Sequence, residues 1–160
     1  MALFRRHEAR PAPPAEDDPA DSPAALLRAL GQLVGFINQN AGRLPGESVV
    51  AARRVTDTVR EVIDTSNDGE LDVYAIISVK GIVNDYLPTT LRTYLALDPQ
   101  LVDARRPSGR TPKESLLDQI TSLWAGAADV LAAAQAKDAD ALVSQGTFLQ
   151  TKFTGSDLDL

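Results

Sequence analysis

Carboxylates are the main chemical resource of this chain. Asp57, Glu61 and Asp64 stand at i, i+4 and i+7, which places them on one helical face where oxygen ligands could meet a divalent cation. Acids at that spacing more commonly form a solvated helix surface, and this is the reading adopted for them. Asp85 adjoins Tyr86 and precedes Pro88 by three positions, so it could be a specific polar group or a cap on a helix break. Arg92, with Arg105, Arg106 and Arg110, could bind an anion at the start of a helix opening at Thr111, where free amides attract negative charge. Tyr86, Tyr94 and Trp124 are amphipathic aromatics of the kind that anchor interfaces, although such residues more commonly pack in a core with the polar tip at its edge.

Composition closes other routes. There is no cysteine, so thiolate catalysis, disulfides and Cys-ligated zinc are excluded. The single histidine, His7, lies in a proline-rich and acidic stretch, which removes Ser/His/Asp arrangements and multi-histidine metal sites from a single chain. Ser78-Val79-Lys80-Gly81 is too short and wrongly ordered for a phosphate-binding loop. A formal net charge of -6 argues against nonspecific nucleic-acid binding, so no nucleic-acid partner is expected. No stretch approaches the ~20 apolar residues of a membrane span, and Met1 to Arg6 lack the apolar run of a secretory signal. The expectation is a cytoplasmic protein with no cofactor, no metal and no catalytic residue set.

The elements that position these residues read as helices. Residues 1–22 are expected to be a disordered tail, rich in proline and acid, with Leu3, Phe4, Arg5 and Arg6 capable of weak contact with an anionic membrane surface. Ser22 and Pro23 open a first helix reaching Asn40, with Leu26, Leu30, Leu33, Val34 and Ile37 on its apolar face. Gly31 and Gly35, four apart, could permit a close helix crossing. A second helix over 47–66 buries Ala52, Val55, Val59, Val62 and Ile63, and Asn67-Asp68-Gly69 ends it. A third element begins near Glu70, with Val73, Ile76, Ile77, Val79, Ile82 and Val83 continuing toward Pro88.

After a loop over 98–110, Thr111-Pro112-Lys113-Glu114 is the clearest helix start, a capping box with proline at the first helical position. Its apolar residues run from Leu116 to Leu131. Asp138 or Asp140 suits the start of a last helix carrying Leu142, Gly146, Leu149 and Phe153, unless 112–153 forms one continuous helix. Residues 155–160 should fray. The fold expected is all-α: four to five helices in an up-down bundle or extended hairpin, with the helical domain over 23–154.

Pro88 interrupts a helical pattern, and local physics predicts either a kinked helix or one helix ending at 85–87 and another opening at Pro88. Tyr86-Leu87-Pro88-Thr89-Thr90-Leu91, followed by Tyr94 and Leu97, resembles the characteristic segment of the 5-bromo-4-chloroindolyl phosphate hydrolysis protein family of bacteria. The likeness covers roughly residues 70–160 and the order of elements there. It brings no catalytic residues to carry over, and the membrane-associated segments of some relatives have no counterpart in this sequence.

What the resemblance implies is a helical accessory protein in a bacterial stress or toxic-anion (tellurite) resistance system. Because the sequence carries no catalytic constellation, the function expected is a non-enzymatic one, acting through a protein partner or as a homo-oligomer. Asp85, Tyr86, Pro88, Arg92 and Tyr94 are the candidate interaction residues. Two alternatives are a metal-dependent phosphate-ester hydrolase, as the family name suggests, and a peripheral membrane binder acting through the tail.

Overall fold

The computed structural model describes residues 20–154, apart from the side chain of Asp68. These residues form an all-α structure: α1 Pro23–Asn40, α2 Gly46–Asp64, α3 Val73–Gly81, α4 Leu87–Leu95, α5 Pro112–Gln135 and α6 Ala139–Phe153. Short 3₁₀ turns, Ala41–Arg43 and Thr65–Asp68, follow α1 and α2. A π-helical turn, Ile82–Tyr86, joins α3 to α4 without a break, so the described residues fold as five helical bodies. The helices α2 and α5 form the central pair; α1 packs on α2, and α6 packs on both α5 and α3.

Local chemistry sets most boundaries. Ser22 accepts a hydrogen bond from Ala25 N–H at 3.1 Å and caps α1. Thr111 and Glu114 form the reciprocal capping box of α5, with bonds of 3.2 and 3.1 Å. The 112–153 stretch is two helices. Lys137 takes a left-handed conformation (φ 53°), Asp138 N–H bonds to Ala133 C=O at 2.9 Å, and the Asp138 carboxylate caps α6 through Ala141 N–H. The third element starts at Val73 rather than near Glu70, because Asp72 is the residue that caps it, accepting from Tyr74 N–H at 2.8 Å.

The core joins every helix. Leu30, Ala52, Val55, Leu87, Leu91, Leu116, Ile120 and Leu149 are fully buried. Each such aliphatic side chain contributes about 1.5–3 kcal/mol, against less than about 1 kcal/mol for a surface ion pair such as Lys80–Asp21. That ion pair belongs to 20–22, the only part of the expected tail among the described residues; residues 1–19, including His7, lie outside them, as do residues 155–160.

Gly31 and Gly35 make no close crossing, since a Cβ at either would meet nothing within 4 Å. No described helix is long and apolar enough to cross a membrane.

Candidate functional site: the groove between α3 and α6

Pro88 is accommodated without one helix ending at 85–87 and another opening, because a π turn carries α3 through into α4. Proline offers no N–H to the carbonyl four residues back, and its ring needs room against the preceding turn. The helix answers by widening: Leu87 N–H bonds to Ile82 C=O, five residues back, and Pro88 lies buried in the first turn of α4. There is no break for Asp85 to cap. Its carboxylate is exposed and instead accepts a hydrogen bond from the Thr89 hydroxyl at 3.1 Å.

The π turn also changes which residues face each other. Tyr86 lies over Gly81, and a Cβ on Gly81 would sit 2.6 Å from the Tyr86 ring. On its other side the ring packs against Phe153 of α6, with centroids 5.9 Å apart. Burial, and after it the Asp85 carboxylate, raise the Tyr86 phenol above its ordinary pKa, while a hydrogen bond with Thr154 offsets part of the shift. Gly81, the π turn, Tyr86 and Phe153 thus act as one unit that fixes α3 against α6.

Along this seam runs a groove of about 390 Å³. Ser78, Gly81 and Gly146 give it a floor of small residues, and Tyr74, Ile77 and Val143 give it apolar walls. Every described residue lining it is uncharged. Val73, Tyr74, Ile77 and Val143 are exposed, Val73 at 58% and Ile77 at 56%, although the apolar pattern of the sequence would bury the two α3 residues Val73 and Ile77.

The reason is the composition of α3, Val-Tyr-Ala-Ile-Ile-Ser-Val-Lys-Gly, which is apolar nearly all round. Ala75 and Val79 turn one face to the core, leaving a second apolar face outward. Ser78 is 2% exposed, and its hydroxyl has no hydrogen-bond partner among the described residues. A buried polar atom left so costs about 1–3 kcal/mol.

The five candidate residues do not share one surface, since a helix turns them to different sides. Tyr86 borders the α3–α6 groove. Pro88 and Arg92, one turn apart, face α1, where the Arg92 guanidinium lies 5.2 Å from the Phe36 ring centroid. Tyr94 is buried near the start of α5, and Asp85 points to solvent.

The arginine cluster does not assemble either. Arg92 is engaged with α1, Arg105 donates to Gly109 C=O at 2.7 Å, and Arg110 pairs with Asp118. The first α5 amides are taken up by the cap, by Thr111 C=O and by Val102 C=O. Trp124 lies at the surface with Arg54 5.6 Å from its ring centroid. Asp57, Glu61 and Asp64 are exposed, and among the described residues no three His, Asp or Glu side chains are grouped to hold a metal ion.

Sequence reasoning passed over Ser78, Gly81 and Val143 as groove residues and placed Ile77 and Gly146 on buried stripes. The available signal was the all-round apolarity of α3, which exceeds what one core-facing stripe requires. No family model, no curated protein and no solved structure matches the chain.

Proposed function

We propose that this protein is a non-enzymatic helical interaction protein, and that the α3–α6 groove receives an uncharged, apolar-faced helix of a partner protein. The observation that carries the reading is the second apolar face of α3, with Val73 and Ile77 more than half exposed beside a groove whose described lining residues are all uncharged. On a chain of net charge -6, such a strip matches the charge-depleted centre of an interface. Small floor residues allow close approach of a helix. An accessory role in a bacterial toxic-anion system rests on the resemblance of residues 86–97 alone.

A photo-crosslinking residue at position 77, in cells that make the protein, tests this. The expected result is a dominant cross-link to one partner segment with an apolar helical face, lost when Val143 is changed to Lys. The same probe at Asp57 should stay silent. Equal labelling from both positions overturns the docking site, and cross-links only between copies of this chain replace the partner with a homo-oligomer.

A further inference from the structure

At the opposite end of α4 a second concavity, about 360 Å³ in volume, is built by three separate parts of the chain. The 3₁₀ turn after α1 supplies Arg43 and Leu44, the end of α4 supplies Tyr94, and the loop and first turn of α5 supply Leu97, Val102 and Lys113. Its chemistry differs from that of the α3–α6 groove, because cations converge on it.

Arg43 is fixed in place by donating to Leu95 C=O at 3.1 Å, which uses one of its five N–H groups. Lys113 is fixed by Asp103, at 3.0 Å. The three ionised groups therefore sum to one excess positive charge, on a chain whose net charge is -6. The Tyr94 ring is buried at 4% exposure, and its phenol feels both Lys113 and Asp103. Leu44 is buried and Leu97 and Val102 are half-buried, so the rest of the lining is apolar.

We infer that this cleft binds a small monocarboxylate with an apolar body, the carboxylate held by Arg43 and Lys113 beside the Tyr94 ring, and the body resting on Leu44, Leu97 and Val102. One excess positive charge matches one carboxylate better than a phosphate dianion. The volume lies at the small end of ligand sites and suits roughly a dozen non-hydrogen atoms. Guanidinium–carboxylate bonds are charge-assisted and directional, which gives Arg43 the larger share of the recognition. The site is independent of the α3–α6 groove, so either can fail without the other.

The test is a titration of the full chain, followed by amide chemical shifts, with 4-phenylbutyrate, its neutral counterpart 4-phenylbutan-1-ol, and inorganic phosphate. The carboxylate should shift amides at 42–44, 94–97 and 102–113 with a dissociation constant of about 1 mM or tighter. The alcohol should bind about tenfold more weakly, and phosphate should give smaller shifts. Arg43→Gln should weaken 4-phenylbutyrate at least fivefold or so, with Arg43→Lys recovering part of the loss. If Arg43→Gln loosens the end of α4, Lys113→Gln at the rim carries the same expectation. Equal affinity for acid and alcohol, shifts centred elsewhere, or an unchanged constant in both Gln variants would overturn the assignment.

Discussion

Helices α1 and α3 both carry glycine in or at the end of regular helix, and both lay leucine, valine or isoleucine on the common core. In α1, Gly31 and Gly35 have open space where a Cβ would go, and the helix is held by its Ser22 cap and the Leu26, Leu30, Leu33 and Ile37 stripe. In α3, Gly81 has the Tyr86 ring where its Cβ would go, and the following turn is π-helical because of Pro88. The same residue type thus costs stability in one helix and is required by packing in the other. What separates them is a neighbour brought by the tertiary fold.

Substitution of Gly81 should give the largest effect. Gly81→Ala forces the Tyr86 ring off its seat and is expected to destabilise the protein by about 2 kcal/mol, read by urea unfolding. In a Tyr86→Ala background the same change should cost almost nothing, because the clash is gone. An equal cost in both backgrounds would break the proposed coupling between the glycine and the ring.

The α1 glycines should respond with the opposite sign. Gly31→Ala and Gly35→Ala should each stabilise by about 0.5–1 kcal/mol, since alanine gains helix propensity and meets no neighbour. A loss of stability at either site, in the same unfolding assay, would mean that α1 is packed as tightly as α3.

The smallest effect is alkaline. Tyr86 and Tyr94 both have phenols raised above the usual value, chiefly by burial. The folded chain therefore holds these protons more tightly than the unfolded chain. That contribution is fully present below about pH 10 and is lost as pH rises through the higher folded values. Melting temperature should fall on that limb, and Tyr86→Phe should flatten the fall; an identical slope would show that Tyr86 ionises freely in the fold.

Much of the fold could be read from local signals. Ser22-Pro23, Thr111-Pro112-Lys113-Glu114 and Asp138 name the starts of α1, α5 and α6 because each cap is made by residues within three positions of the amide it satisfies. The Ala52, Val55, Val59, Val62 and Ile63 stripe identifies the buried face of α2 despite its β-branched content. The candidate site was less legible. Tyr86 borders the groove as one of the five candidates, but Asp85, Arg92 and Tyr94 face elsewhere, since the ten residues 85–94 sweep through more than two helical turns.

The sequence by itself determined the all-α class, the caps and the core stripes, since these depend on spacing and on hydrogen bonds over three or four residues. Only the tertiary structure decided how Pro88 is absorbed, which glycines matter and which side of α3 stays outside. The π turn that absorbs Pro88 seats Tyr86 between Gly81 and Phe153, and Phe153 arrives from the far end of the chain. A helix apolar on two faces has no local reason to prefer one, and the choice was made by where α6 came to rest.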